Sequence, residues 1–205
     1  MEKFNNIYCI VLAAGESTRM GQPKALLKFN NVSFLEHLIN VTKTAGLINV
    51  IIVLGYDSEK IRNSLRLENF KNNLNIKIVV NKDYKLGQLS SIHTALCALP
   101  ENAEAIILLP VDRPLISRYV LEEILEKYFL SNAKIVIPTF EGKRGHPVLF
   151  SSAMFDELMD APLDIGARYV VWNHPEELVE VETSESGILI NIDTPEDYKK
   201  YILKD

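Results

Sequence analysis

Four charged residues stand where an apolar run gives way to small residues or to a turn: Arg19, Lys24, Asp112 and Asp193. The two cations belong to Leu12-Ala13-Ala14-Gly15-Glu16-Ser17-Thr18-Arg19-Met20-Gly21-Gln22-Pro23-Lys24. Small residues there let backbone N–H groups approach an anion, and Arg19 and Lys24 add fixed positive charge, which together make a phosphate cradle. The segment is not a Walker A loop, because Gly21 is not followed by Lys and Ser/Thr, and it lacks the spacing of a dinucleotide fingerprint. Glycine-containing turns after strands are common, so the glycines alone leave a plain structural turn equally open; Arg19 and Lys24 favour the cradle.

Asp112 follows the apolar run ending Leu109-Pro110-Val111, a placement that suits a hard oxygen ligand for Mg²⁺. The same residue also fits the role of a helix cap before a proline-containing turn, although Ser117 is better placed for that. Ile188-Leu189-Ile190-Asn191-Ile192 reads as a further apolar strand delivering Asp193, which either completes a metal site with Asp112 or sits before a helix N-terminus for its dipole. Two carboxylates and water around Mg²⁺ would bridge triphosphate oxygens and neutralise charge on leaving pyrophosphate.

Two loops carry further polar chemistry. Asn81-Lys82-Asp83-Tyr84-Lys85-Leu86-Gly87-Gln88-Leu89-Ser90-Ser91 offers Gly87, Ser90 and Ser91 to a nucleotide at a helix start, with Ser90 equally able to be an N-cap. Gly142-Lys143-Arg144-Gly145-His146-Pro147 gathers positive charge and glycine, as an anionic acceptor would need or as a flexible basic surface turn would show. The histidines, His37, His93, His146 and His174, are dispersed without cysteine partners, so a zinc site is not expected; His37 and His93 fall in helical patterns and read as structural. No G-x-S-x-G elbow marks a hydrolase nucleophile.

These residues need a frame that brings them together. Ile7 to Ala13, Val50 to Leu54, Ile76 to Val80, Ala105 to Pro110 and Lys134 to Pro138 are short β-branched apolar runs, expected as strands buried on both faces. Between them lie helical patterns. Ser33-Phe34-Leu35-Glu36 is a capping box opening a helix toward Ala45, which Gly46 ends. Further helices are expected from about Ser58 to Leu67, Ser90 to Leu99, Ser117 to Phe129 and Ser152 to Met159, and a last one at Thr194-Pro195-Glu196-Asp197, where Thr194 caps and Pro195 takes the first turn. Alternating strands and helices predict an α/β fold with a mostly parallel, doubly wound sheet, and in such sheets ligands bind beyond the carboxyl ends of the strands.

Composition sets the outer limits. With 205 residues, 47% hydrophobic and 24% charged, the chain can bury a substantial core, and one compact domain over residues 1–205 is expected. A net charge of −5 with scattered basic residues argues against nucleic acid as partner. Cys9 and Cys97 both lie in apolar segments and read as reduced, packed thiols. Neither a secretion signal nor a membrane-spanning run is recognisable, so a soluble cytoplasmic protein is expected.

Leu12-Ala13-Ala14-Gly15-x-Ser17-x-Arg19-Met20-Gly21-x-x-Lys24 resembles the signature of the nucleotidyltransferase superfamily that makes molybdenum-cofactor dinucleotides, sugar nucleotides and cytidyl isoprenoid precursors. Gly87 with Ser90 and Ser91, Asp112-x-Pro114, Gly145-His146-Pro147-Val148-Leu149-Phe150, Asp164-x-Gly166-Ala167-Arg168 and Asp193-Thr194-Pro195-Glu196-Asp197 resemble its molybdenum cofactor cytidylyltransferase branch, so the likeness spans nearly the whole chain. The resemblance implies a Rossmann-like three-layer α/β/α fold and in-line attack by the acceptor's terminal phosphate on the α-phosphorus of the triphosphate, with pyrophosphate leaving. It implies that Arg19 and Lys24 hold the triphosphate, Asp112 and Asp193 the Mg²⁺, and the Leu12, Ala13, Ala14 and Gly15 backbone with Ser90 and Ser91 the nucleoside. It turns His146, Asp164 and Arg168 toward a pterin.

The Ala13-Ala14-Gly15 form is similar to the cytidylyl enzymes, whereas guanylyl relatives carry two glycines there, so the resemblance implies CTP, with a phosphorylated pterin as acceptor and a molybdenum hydroxylase or its maturation chaperone downstream. Two positions depart from the pattern: Leu163 stands before Asp164 where glycine is usual, which bears on the acceptor, and Asn191 replaces an acidic residue ahead of Asp193, which bears on the metal. A relative acting on another nucleotide or a sugar phosphate would share the phosphate and metal residues. A catalytically silent nucleotide-binding maturation protein would be expected to lack Lys24 or an aspartate, and all four charged residues are present.

Overall fold

A computed structural model describes residues 4–66, 68, 70 and 74–203. Its centre is an eight-stranded sheet. The strands are β1 (Ile7–Ala13), β4 (Asn49–Leu54), β5 (Asn75–Val80), β6 (Ala105–Pro110), β7 (Ile135–Phe140), β8 (Lys143–Arg144), β9 (Val148–Ser151) and β10 (Leu178–Glu182), ordered β10-β7-β9-β6-β1-β4-β5 with β8 paired to β7. A separate hairpin joins β2 (Lys28–Phe29) to β3 (Val32–Ser33). The pairs β1–β4, β1–β6, β4–β5 and β7–β10 are parallel; β9 runs against both β6 and β7, and β8 runs against β7.

Strand alternation sends successive side chains to opposite faces and so builds two cores. Ile7, Cys9, Val11 and Ala13 of β1 pack with Phe34, Leu35, Leu38 and Ile39 of α1 (Phe34–Thr44), Ile61 of α2 (Ser58–Ser64) and Val120, Leu121, Ile124 and Leu125 of α4 (Arg118–Leu130). Ile10, Leu12 and Ala14 face the other layer, made by Leu89, Ile92, Ala95 and Leu96 of α3 (Gln88–Leu96), Leu158 of α5 (Phe155–Asp160) and Val170 of α6 (Arg168–Asn173). The result is the expected three-layer α/β/α arrangement. Among the described residues no helix is long and apolar enough to cross a membrane.

The chain runs outward from β1 through β4 to β5, then returns to place β6 on the other side of β1. That reversal makes a crevice between the carboxyl ends of β1 and β6, the position at which open α/β sheets bind ligands. The register pairs Leu12 with Pro110, and Val111 N–H donates to Leu12 C=O at 3.0 Å, so the two exits leave side by side.

Local signals set most element ends. Ser33 Oγ accepts from Glu36 N–H at 3.2 Å while Glu36 Oε2 accepts from Ser33 N–H at 3.1 Å, the reciprocal capping box that opens α1. Burial pushes the Glu36 carboxyl up, and hydrogen bonds from Ser33 and the Arg66 backbone, with Lys28 nearby, more than reverse this and leave it below its ordinary value. Ser117 caps α4 by accepting from Tyr119 N–H, so Asp112 has no capping duty there.

Several expectations are corrected. Ile76 to Val80 is not buried on both faces: β5 is an edge strand, and Val80 is 45% exposed. Ile188 to Ile192 is not a strand; a 3-10 turn, Ser186–Leu189, leads into irregular chain. Its backbone groups are claimed by loops, since Ile188 C=O accepts from His146 N–H at 3.1 Å and Ile192 N–H donates to Asp112 C=O at 2.8 Å, which leaves no ladder to join. Cys97 is exposed at the C-terminal end of α3, whereas Cys9 is buried, and burial pushes its thiol up to about 12. The second helix ends at Ser64, and the expected limit at Leu67 lies outside the described residues. Strands β9 and β10 and helix α6 were not foreseen as elements.

Ile107 lies fully buried at the middle of β6, between β1 and β9. Ile107→Ala is expected to lower unfolding free energy by about 2–5 kcal/mol in urea denaturation, the loss typical of a cavity in a core that cannot collapse.

Candidate active site

The exit of β1 is built as a tight anion-facing loop. Ser17 takes a left-handed conformation (φ 54°), its C=O accepts from Met20 N–H at 3.0 Å, and its Oγ accepts from Lys24 N–H at 3.2 Å. Met20 is buried beneath the loop, so Thr18 and Arg19 stay on the outside. Lys24 begins a second 3-10 turn, Lys24–Leu26, with Ala25 buried. Loop closure thus fixes the lysine backbone close to the strand it left.

Lys24 Nζ then donates to Asp112 Oδ2 at 3.3 Å and also to Asp193 Oδ1. The lysine side chain is only 13% exposed. Asp193 Oδ2 accepts from Asn191 Nδ2 at 2.6 Å and lies 3.3 Å from Arg19 Nη2, whose side chain is 69% exposed. The four charged residues expected to act together therefore form one cluster, drawn from three distant segments. Asp193 is held by the helix that follows, α7 (Pro195–Tyr198): Asp197 Oδ2 accepts from the N–H groups of Asp193 at 3.1 Å and Thr194 at 2.9 Å, and Thr194 Oγ1 accepts from Asp197 N–H. The Asp193 backbone hydrogen bond, opposed by slight desolvation and aided by the Thr194 bonds and Lys200, lowers the Asp197 carboxyl below its ordinary value.

This cluster lies on a cavity of about 300 Å³ lined also by Leu12, Ala13, Ala14, Gly15, Tyr84, Gly87, Gln88, Ser91 and Pro110. Gly87 caps α3 at φ 99°, a conformation that favours glycine, and so turns the helix N-terminus toward the cavity. Ser90 is different. Its buried hydroxyl donates to Gly87 C=O at 2.7 Å, Asp83 C=O lies at 3.0 Å, and it accepts from Asn81 Nδ2 at 2.8 Å, so it serves the loop and does not line the cavity. Asn81, which sequence reasoning did not single out, also donates to Ser91 Oγ at 3.0 Å and accepts from Asp83 N–H at 2.9 Å. A buried asparagine after an apolar strand was the available signal.

A second cavity, of about 520 Å³, shares Leu12, Gly87, Gln88 and Pro110 with the first. His146, Asp164 and Arg168 all line it, with Leu163, Trp172 and buried Phe150. The basic turn before it is not a free charged loop: β8 pairs it to β7, and Arg144 Nε donates to Glu180 Oε1 at 2.6 Å. Gly145 approaches Ile188 so closely that a Cβ would come within 2.6 Å of its C=O, and a side chain there would force the two segments apart.

Arg113 is the second residue that sequence reasoning passed over. Its Nη1 donates to Ile188 C=O at 3.1 Å, burial pulls its pKa down, and Asp112 and Asp193 push it back up. It also acts on His146, whose pKa is pushed down to about 3, first by burial and then by the Arg113 charge. His146 is therefore a neutral ring at neutral pH, while His37 and His93 spend Nε2 on the carbonyls of Pro114 and Leu158 and are structural.

A ring that binds its proton near pH 3 when folded and near 6.5 when unfolded leaves the unfolded chain with more protons between those values. Its contribution to stability is thus complete above about pH 6.5 and declines as pH falls toward 3. Chemical denaturation of His146→Gln against the parent chain should show a shallower loss of stability below pH 6, by up to about 1.4 kcal/mol per pH unit.

Comparison with known proteins agrees with this architecture. The molybdenum cofactor cytidylyltransferase of Escherichia coli (strain K12) is 31% identical over 193 residues, covering 94% of this chain and 93% of that one. The molybdenum cofactor guanylyltransferase of Shewanella pealeana is 28% identical over 192 residues, covering 91% and 89%. Among solved structures, Rv0371c of Mycobacterium tuberculosis H37Rv superposes with a TM-score of 0.82 at 25% identity, covering 98% of this chain and 100% of its own; the manganese complex of Rv0371c gives 0.73 at 24% identity, with the same coverage. The MobA-like NTP transferase domain matches residues 9–178, and the chain belongs to that family of nucleotidyltransferases.

Proposed function

We propose that residues 1–205 form one nucleotidyltransferase domain that transfers CMP from CTP to the terminal phosphate of molybdopterin, with Mg²⁺, releasing pyrophosphate. The observation that carries this reading is the pair of cavities meeting at Leu12, Gly87, Gln88 and Pro110, with the Lys24–Asp112–Asp193 cluster on the first. Two substrates bound in adjoining cavities meet at their common wall, which is what transfer between them needs. Support for the acceptor comes from the similarity to the Escherichia coli cytidylyltransferase along nearly the full length of both chains. Support for CTP comes from the stretch Ala13-Ala14-Gly15, which lines the first cavity and is similar to the cytidylyl enzymes, whereas guanylyl relatives are expected to carry two glycines within it.

In this reading the triphosphate lies along the β1 exit loop, with Arg19 and Lys24 facing its oxygens and the α3 N-terminus supplying backbone N–H groups. An oxygen of the acceptor phosphate attacks the α-phosphorus; that P–O bond forms as the bond to the pyrophosphate oxygen breaks, and the electron pair leaves with pyrophosphate. No protein nucleophile is used, so the chain acts by alignment and by stabilising charge.

Asp112 and Asp193 fit a divalent cation by chemistry. Both are hard oxygen donors, and both already converge on a single positive charge, that of Lys24. Among the described residues no group of three potential ligands occurs, so phosphate oxygens and water would complete the shell. When bound, the cation would neutralise charge on the triphosphate, and a similar fold solved with manganese supports divalent metal use. The reading extends to a cytoplasmic enzyme whose product passes to a molybdenum hydroxylase or its maturation chaperone.

Purified protein given Mg²⁺ and molybdenum-loaded molybdopterin should release pyrophosphate with CTP and far less with GTP, ATP or UTP. Preference for another nucleotide would replace the base assignment, and no release with any would overturn the proposed reaction. Lys24→Met and Asp112→Asn should each lower turnover by roughly 10²–10³-fold, the scale for losing one charge-stabilising group, while melting temperatures stay within a few degrees. Unchanged turnover would remove that residue from the mechanism.

A further inference from the structure

We infer that Trp172 is a stacking residue of the second cavity, holding the flat heteroaromatic ring of the acceptor, an inference that rests on the pterin reading above. Trp172 is the chain's only tryptophan. It lines the second cavity yet is 61% exposed, and Leu163 on the same cavity is 41% exposed. Large apolar side chains left in water at the mouth of a cavity are the usual mark of a surface that a ligand covers. Deeper in, the walls are Leu108, Ile137 and Phe150, all buried, so the cavity passes from an apolar interior to an aromatic rim.

The polar groups at that rim select among ligands. Arg168 lies one helical turn from Trp172 on α6, with its guanidinium carbon 6.0 Å from the indole centroid. Among the described residues neither Asp164 nor Arg168 has a hydrogen bond or ion pair. A carboxylate accepts from adjacent ring N–H and exocyclic NH₂ groups, and a guanidinium donates to a ring carbonyl, so an amino-oxo heterocycle matches the pair. A fused ring of that kind also offers the π-face that an indole stacks against, whereas a sugar offers hydroxyls and no such face. The acceptor phosphate would then lie toward the wall shared with the first cavity, and the ring toward Trp172.

The test uses neopterin monophosphate as probe, in the absence of nucleotide and with the full chain. Saturable quenching of the single indole is expected, together with a rise in the anisotropy of the pterin's own emission. By that anisotropy, Trp172→Ala should weaken binding by roughly 5- to 100-fold, the range for loss of one base–aromatic stack, and Trp172→Phe should recover most of it. In turnover, Trp172→Ala should raise KM for molybdopterin and leave KM for CTP unchanged. Equal pterin binding by the parent chain and Trp172→Ala, the variant's fold being verified by circular dichroism, would overturn the inference, as would equally strong quenching by glucose 1-phosphate. Normal CMP transfer with unchanged acceptor KM in Trp172→Ala would remove the stacking role and keep the proposed function. Tryptophan-dependent pterin binding without transfer from any nucleotide would keep the stacking role and remove that function.

Discussion

The Lys24 ammonium, set between the carboxylates of Asp112 and Asp193, is the interaction on which the site's geometry depends. Two carboxylates that converge without a cation repel, and unit charges about 4 Å apart near a protein surface interact by about 4 kcal/mol. Desolvation cancels part of each attraction, so the cluster adds little to stability; what it fixes is position. Lys24 follows the first strand, Asp112 the central return strand, and Asp193 the irregular segment before the last helix. One side chain thus ties the two ends of the chain to its middle, and each tie is braced by backbone: Val111 N–H on Leu12 C=O, and Ile192 N–H on Asp112 C=O.

The sheet order explains why the ties meet there. With β4 and β5 on one side of β1 and β6 on the other, the chain reverses its direction across the sheet at β1, and the carboxyl ends of β1 and β6 leave a crevice between them. The antiparallel β9 lies beyond β6 on the side away from β1. It brings Gly145 and His146 against Ile188, and Arg113 closes the triangle by donating to the same carbonyl. The second cavity therefore opens beside the first instead of behind it, with a common wall from the two central strand ends and the start of α3.

What could be read from the sequence follows from how local its physical cause is. The strand runs at Ile7, Val50 and Ala105 were legible because both faces of each are buried, which demands unbroken apolar residues. The caps at Ser33, Ser117 and Thr194 were legible because each acts within a few residues of itself. Ile188 to Ile192 misled because apolarity records burial and not pairing; these residues are buried or partly buried through loops that claim their backbone groups. The strand β10, Leu-Val-Glu-Val-Glu, carried an alternating pattern that was there to be found, but β9 has only four residues and gains its identity from β6 and β7. At the site, charged residues at strand exits were readable as types at places. The burial of Ser90 and the reach of Arg113 were not, since both depend on segments that meet only after folding.

A chain with a net charge of −5 that handles polyanions must separate its charges in space. Here the separation is local: Arg19, Lys24 and Arg113 gather around two carboxylates, and the α3 N-terminus adds partial positive charge without any ionisable group. Arg113 does this from a partly buried position, and the cost appears next door in His146, which it helps to hold neutral. Neutrality there is compatible with the proposed division of labour. A charged imidazolium on the second cavity would compete with the triphosphate's cations for the acceptor phosphate, whereas a neutral ring leaves that phosphate to be drawn across the common wall toward Arg19 and Lys24 on the first cavity, with the α3 N-terminus at Gly87 adding its partial positive charge.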